Sequence, residues 1–303
     1  MTKKILIIGS QGYIGSALSA HLIRKGHSVV GVDIGLFRYG VIRYPQECET
    51  LNKPAQSVTE NDLKEFDVVI QLAGISNDPF CNFDPARIYD PTREYAIKIA
   101  KICKKFGIRF IFPSSCSIYG FGEKNLSEEA QPDPKTPYSQ NKVDIEKELA
   151  NLADQNFSPI ALRLATVFGF SPRIRFDLVI NMLTAMAYTE KRVVLNSNGL
   201  AWRPHVHIDD VCAAFHRCVD LDYEKPELLT LNVGRDDNNW RIIDVAKYIC
   251  SQVPNCELKF ASEIADANEL IEDRKIQDGV DVRNYKVSFR KIHSLVPDYK
   301  CNI

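Results

Sequence analysis

Short runs of consecutive apolar residues recur along the first half of the chain, and stretches with helical, one-sided hydrophobic spacing separate them. KILII at 4–8, an amphipathic stretch from Tyr13 to Lys25 and HSVVGV at 27–32 follow one another, which is strand, helix and strand in roughly 30 residues, the size of a βαβ unit. The order continues with DVVIQLAG at 67–74, a helix from about Pro85 to Phe106, IRFIF at 108–112, a helix from about Pro137 to Ala153, and SPIALRLATVFG at 158–169. Strands without polar alternation, interleaved with helices, predict an α/β fold in which a doubly wound parallel sheet is covered on both faces. Beyond about residue 170 the rhythm loosens, and Pro172, Pro204, Pro226 and Pro254 punctuate shorter segments. The pattern predicts one lobe over 1–169 and a smaller second lobe over 170–303, with the chain returning to the first around 203–220.

Composition narrows the function classes. With 45% hydrophobic and 25% charged residues over 303 positions, the chain can bury a large core, and disorder is excluded. Its 38 basic and 39 acidic side chains leave a net charge of -1, so no global positive field gathers nucleic acid or anionic lipid. No apolar run reaches the roughly 18 residues of a membrane span, and MTKKILIIGS has no small-residue cleavage site, so a cytoplasmic protein is expected. The nine cysteines show no C-x-x-C pair, which suits free thiols better than a disulfide framework or a zinc site. His205 and His207 could share one strand face, but without a third ligand nearby no metal is expected.

Chemistry first shows between the first strand and the first helix. Gly9, Gly12 and Gly15 form G-S-Q-G-Y-I-G there, where a tight turn, a close backbone approach to a pyrophosphate and close helix packing each need glycine. Free N–H groups and the positive end of the helix dipole would meet the anion. Gln11, Tyr13 and Ile14 belong to the same turn. Asp33 ends the second strand 18 residues after Gly15, where a carboxylate can accept both hydroxyls of an adenosine ribose. That charge repels a 2′-phosphate and favours NAD over NADP, with Arg38 close by as a feature in the opposite sense. The expected fold of this lobe is therefore a Rossmann fold.

Tyr138 and Lys142 open a predicted helix one turn apart, and Ser115 lies just past IRFIF. A phenol titrating near about 10 is a poor base at neutral pH, but a nearby ammonium and a positive nicotinamide ring both favour its phenolate. Tyr138 could then take a hydroxyl proton while hydride leaves the same carbon.

With these motifs the chain resembles the extended short-chain dehydrogenase/reductases, specifically the NAD-dependent nucleotide-sugar epimerases and dehydratases. The resemblance runs through G-x-x-G-x-x-G at 9–15, the acidic residue at 33, QLAG at 71–74, SSCSIYG at 114–120, Y-x-x-x-K at 138–142, LRLATVFG at 162–169 and RPHVHIDD at 203–210. It implies a dimeric enzyme that oxidises a sugar hydroxyl, usually at C4. Tyr138 would be the base, Lys142 a ribose ligand that lowers the tyrosine pKa, and Ser115 a donor to the reacting oxygen. It also implies that Leu72, Ala73 and Gly74 border the cofactor, and that Arg203 grips the substrate diphosphate, a task suited to a planar guanidinium fork. Arg173, Arg175, Arg274 and Arg283 are the next diphosphate candidates, Arg173 and Arg175 being equally readable as a solvated pair.

Departures from the family pattern bear on the reaction. Sugar 4,6-dehydratases carry Asp-Glu after the catalytic Ser/Thr, and this chain has Cys116 and Ser117, so that reaction is disfavoured. C3/C5 epimerases that use a cysteine in this loop have it at the position of Ser117. Cys116 is therefore read as a buried structural thiol, with a substrate contact as the alternative. Two family asparagines are replaced by Thr92 and Thr166, so substrate placement differs from galactose-type epimerases, with Cys116, Ser117 and Thr166 as candidate contacts. LRLATVFGFSPRIRFDLVIN also resembles C4 dehydrogenases of nucleotide-linked heptoses. The expected activity is C4 epimerisation of a nucleoside-diphosphate sugar through a keto intermediate. A C4 dehydrogenase or a dehydratase is the alternative, and a noncatalytic NAD-binding relative is disfavoured because Ser115, Tyr138 and Lys142 are all present.

Overall fold

A computed structural model describes residues 1–43, 48–76, 84–223, 225–263, 283–296 and 299–301. The chain begins with β1 (Lys4–Ile8), α1 (Tyr13–Arg24), β2 (Ser28–Asp33), β3 (Glu49–Asn52), the short helix α2 (Glu60–Leu63) and β4 (Val68–Gln71). It continues with α3 (Pro85–Phe106), β5 (Arg109–Ser115), β6 (Phe121–Leu126), α4 (Pro137–Leu152), β7 (Ile160–Leu164) and β8 (Thr166–Phe168). The remainder is α5 (Val179–Glu190), β9 (Arg192–Leu195), β10 (Trp202–His207), α6 (Ile208–Val219), β11 (Leu229–Val233), β12 (Asn239–Arg241), α7 (Ile242–Gln252), β13 (Glu257–Phe260), β14 (Asn284–Val287) and α8 (Arg290–Leu295).

Seven strands form one sheet in the order β11-β7-β5-β4-β1-β2-β3, with every neighbouring pair parallel. Period-two geometry divides β1 between two cores. Ile5 and Ile7 pack with Leu18 and Leu22 of α1 and Phe215 of α6, whereas Leu6 and Ile8 pack with Tyr95 and Ile99 of α3 and with Ile145 and Leu149 of α4. All four β1 residues are fully buried, which explains why the strand reads as continuously apolar. Strand order reverses between β1 and β4, so their C-terminal ends open the crevice in which doubly wound folds bind ligands.

Predicted helix boundaries agree closely with the structure, α3 to the residue, because Asp84 caps α3 by accepting from the Arg87 N–H and Gly107, at φ 65°, ends it. The stretch 158–169 divides into two strands. β7 stays in the large sheet, and after Ala165 the chain leaves it as β8, which pairs with β10 in a three-stranded sheet completed by β12. Apolar periodicity cannot show such a change of sheet, since both halves are buried. Around the predicted return at 203–220, α6 packs on α1, and β11 further along supplies the edge strand of the large sheet. Beyond the large sheet, α5, α7, β9 and β13 share a separate small core that includes Leu183, Val193, Leu195 and Ile249.

The first turn is set by close backbone packing. Gly9, at φ +92°, donates its N–H to the Val32 carbonyl at 2.7 Å, and a Cβ there would lie 2.5 Å from the Ala73 nitrogen. A Cβ on Gly15 would lie 2.1 Å from the Gly9 carbonyl oxygen, which is backbone and cannot swing aside. Gly15→Ala should therefore lower stability by about 1–3 kcal/mol through forced repacking and should weaken NAD binding in parallel. Urea unfolding and calorimetric NAD titration measure the two effects, and a variant matching wild type in both would show that the turn is not closely packed.

Candidate active site

The mouth of the crevice is built for an anion at the start of α1. Gly12 caps that helix without a side-chain bond, and a Cβ added there would meet only the Gly9 carbonyl, at 3.5 Å, so a pyrophosphate can approach the backbone. Ser10 Oγ, Gln11 Oε1 and Gln71 Oε1 are buried around this turn without hydrogen-bond partners, as expected of groups awaiting a polar ligand. Asp33 is held ready by two backbone amides: the Gln11 N–H donates to Oδ2 at 2.9 Å and the Gly35 N–H to Oδ1 at 3.0 Å. Each oxygen keeps a lone pair for a ribose hydroxyl. Leu72 and Ala73 both donate their N–H groups to the Ile8 carbonyl at 2.7 Å, which places the QLAG loop across the β1 end. These residues fit NAD.

At the neighbouring strand end the catalytic candidates converge. Thr136 and Ser139 form a reciprocal cap that starts α4, so Tyr138 and Lys142 project from its first turns toward β5. The Lys142 ammonium is buried, donates to the Pro113 carbonyl at 2.7 Å, and sits 4.5 Å from the Phe112 ring centre and 5.6 Å from that of Tyr138. Burial takes its pKa from 10.5 down to about 7, against the opposing pull of Glu146. Tyr138 is half-buried, with the Tyr89 ring 6.3 Å away. Ser115 accepts from the Ser117 N–H at 3.2 Å, which keeps its own hydroxyl proton for donation. Ser117 Oγ is buried without a partner.

Beneath these groups lies a polar network absent from the sequence reading. Arg163 on β7 forms a bidentate ion pair with Glu146 of α4, closest at 2.7 Å, with both side chains less than a tenth exposed. Glu146 also accepts from Ser114, the neighbour of Ser115. Arg163 donates to the Tyr119 hydroxyl at 2.9 Å and to the Glu128 carbonyl at 3.1 Å, and Tyr119 donates to Asn232 of β11 at 2.8 Å. A signal for Glu146 existed, since it follows Lys142 by one helical turn. Its partner, 17 residues on, carries no such mark.

Other predicted residues fall in distinct places. Cys116 is 1% exposed and donates to the Arg163 carbonyl at 3.2 Å, and burial pushes its thiol pKa well up. The structure thus corrects the substrate-contact alternative for Cys116 to a core residue, because one step along the chain from Ser115 turns the side chain inward. Tyr13 is buried and donates to the Gly169 carbonyl at 2.9 Å, so its hydroxyl ties the glycine turn to the second half of the chain. Arg175 spans from Asp177 to Ser76 Oγ, the latter at 2.7 Å. Arg173 lies over the Phe37 ring at 4.1 Å, with a buried Nε lacking a partner. Arg203 is largely buried beside Tyr285 and donates to the carbonyls of Trp202 and Arg283. Thr166 is half-buried opposite His205 in the strand register. Arg274 lies outside the described residues. Among those described, no group of three or more His, Cys, Asp or Glu side chains could hold a metal, and no helix is long and apolar enough to cross a membrane.

A dinucleotide crevice beside a Ser, Tyr and Lys constellation defines a nucleotide-dependent oxidoreductive enzyme. The profile of the NAD dependent epimerase/dehydratase family matches residues 5–234, and the chain belongs to that family. It is 29% identical over 251 residues to the uncharacterized UDP-glucose epimerase YtcB of Bacillus subtilis (strain 168), covering 76% of each chain. The fold is similar to that of TunA, an NAD dependent NDP-hexosamine 5,6-dehydratase of tunicamycin biosynthesis, with a TM-score of 0.82, 20% identity and coverage of 100% of this chain and 93% of the other. It is also similar to UDP-glucuronic acid 4-epimerase from Bacillus cereus, with a TM-score of 0.79, 20% identity and coverage of 99% and 94%.

The Lys142 site yields a test without substrate. Its native pKa of about 7 lies below the ordinary 10.5, so between these values the unfolded chain binds a proton the native protein has released, and this group's contribution makes stability rise with pH across that window. Lys142→Met should remove that contribution. Urea midpoints at roughly pH 7 and roughly pH 9 should diverge less in the variant than in wild type; an equal rise in both would refute a depressed lysine.

Proposed function

We propose that the protein is a nucleotide-sugar epimerase that oxidises its sugar at C4 and re-reduces it from the other face, with the cofactor held by residues 1–169 and the sugar nucleotide mainly by the rest. Bound NAD supplies the acceptor for the hydride leaving the sugar carbon and its return. Tyr138 takes the proton of the C4 hydroxyl and gives it back after the carbon has inverted. Lys142 in its protonated form favours the phenolate as a positive neighbour, and the side chain binds the cofactor ribose. Ser115 donates to the reacting oxygen. Arg203 and Arg173 hold the diphosphate, and Ser117 and Thr166 contact the sugar.

The observation that carries this reading is the end of β5, where Lys142 meets the Pro113 carbonyl beside Ser115 and no carboxylate follows the serine. Expelling water from a sugar needs an acid and a base near the leaving group. Cys116, the side chain next to Ser115, is buried with its thiol pKa raised, which supports epimerisation over elimination. The likeness to an epimerase at 29% identity supports the same choice. We also propose a cytoplasmic homodimer, which light scattering of the purified chain tests.

Tyr138→Phe should fold and bind NAD as wild type does while turnover falls by roughly 10²-fold or more, because the ring stays and only the proton acceptor is lost. The assay mixes nucleotide sugars with enzyme and NAD, following products by NMR and reduced nicotinamide by absorbance. Epimer formation without accumulating NADH supports the reading; stoichiometric NADH release indicates a C4 dehydrogenase, and normal turnover by the variant refutes the tyrosine mechanism. In parallel, wild type should bind NAD more tightly than NADP, and Asp33→Ala should narrow that preference. An unchanged ratio by calorimetry would exclude Asp33 as the ribose ligand.

A further inference from the structure

Cys250 lies in the last turns of α7 and Cys256 stands immediately before β13, with five residues between them. Their sulfurs are 3.4 Å apart, Cys256 donating to Cys250. The backbone holds this approach: the Val253 N–H donates to the Cys250 carbonyl and the Cys256 N–H to the Val253 carbonyl, each at 3.2 Å, and Asn255 takes the left-handed conformation at φ 59°. Both cysteines are part-exposed, whereas Cys103, Cys116, Cys212, Cys218 and Cys301 are buried. Among the described residues no other two thiols are hydrogen-bonded to each other.

We propose that Cys250 and Cys256 form an oxidisable dithiol, a covalent modification site that a hydroperoxide converts into an intramolecular disulfide. Burial, with the neighbouring sulfur second, pushes the Cys250 thiol up to about 11, so Cys250 stays a thiol until the sulfenic acid forms beside it. The Cys256 thiolate attacks one peroxide oxygen, the O–O bond breaks, and the departing oxygen leaves as alcohol or water with the proton. The resulting sulfenic acid is then attacked by the Cys250 sulfur. The S–O bond breaks, the S–S bond forms, and the hydroxyl leaves as water with the Cys250 proton. Two thiols have lost two electrons and two protons, and the hydroperoxide has been reduced by the same two electrons. Proximity decides the outcome, since a thiol already in contact captures the sulfenic acid before further oxidation.

The product would lock the end of α7 to the start of β13, the strand paired with β9 in the small core. Neither the thiols nor the helix and strand they join belong to the catalytic constellation, so the proposal stands apart from the epimerase reading. The test treats the reduced full chain with hydrogen peroxide near equimolar amounts, blocks remaining thiols by alkylation and maps peptides without reduction. The expected result is a linkage between Cys250 and Cys256, two fewer alkylated thiols per chain, and full reversal by dithiothreitol. In Cys250→Ser the sulfenic acid at Cys256 should persist and be trapped by dimedone. Over-oxidised cysteine at either position, disulfides between chains, linkage to another cysteine, or an unreacted pair while other thiols oxidise would each overturn the proposal.

Discussion

The ion pair between Arg163 and Glu146 is the interaction on which the catalytic region depends, because it joins β7 to α4 where both side chains are largely shielded from water. Two charges taken out of solvent cost several kcal/mol each, and only a bidentate bond with its remaining donors satisfied offsets this. Glu146 is satisfied by Ser114 as well as by the guanidinium, and Arg163 spends its other donors on Tyr119 and Glu128. An apolar replacement of the whole pair could be as stable, whereas removing one partner would cost about 3–5 kcal/mol. What the pair contributes is orientation. It fixes the rotation of α4 against the end of β5, so that Lys142 meets the Pro113 carbonyl with the Tyr138 ring 5.6 Å from its ammonium.

That geometry also sets the charge balance at the site. Burial pulls the Lys142 proton away and Glu146, one turn further along the same helix, opposes the loss, leaving a lysine that titrates near neutrality. A group so placed responds to small changes in its surroundings. At the mouth of the crevice the carboxylate of Asp33 is held by two backbone amides, those of Gln11 and Gly35.

Hydrogen bonds tie the two halves of the chain together at the glycine turn. Tyr13 reaches the Gly169 carbonyl, Asn181 binds both the Gly169 N–H and the Arg175 carbonyl, and Ser171 donates to the Tyr13 carbonyl at 2.6 Å while touching Ser16. Arg175 then crosses to Ser76 behind the QLAG loop. The segment carrying Arg173 and Arg175 is thus fastened to the glycine turn at the mouth of the crevice.

Local signals determined much of this protein. Unbroken apolar strands, the glycine spacing at 9–15 with Asp33 after it, the Pro85 to Phe106 helix between Asp84 and Gly107, and the one-turn interval from Tyr138 to Lys142 each follow from backbone geometry within a short window. The sequence could therefore announce the parallel sheet, the crevice and the catalytic candidates. Packing between distant segments decided the rest. The addition of β11 to the sheet edge, the departure of β8 at Ala165, the choice of Arg163 for Glu146 and the meeting of Cys250 with Cys256 carry no period or motif. A buried charge, a thiol or a strand edge finds its partner only when the whole chain has excluded water around it, and that condition belongs to the tertiary structure alone.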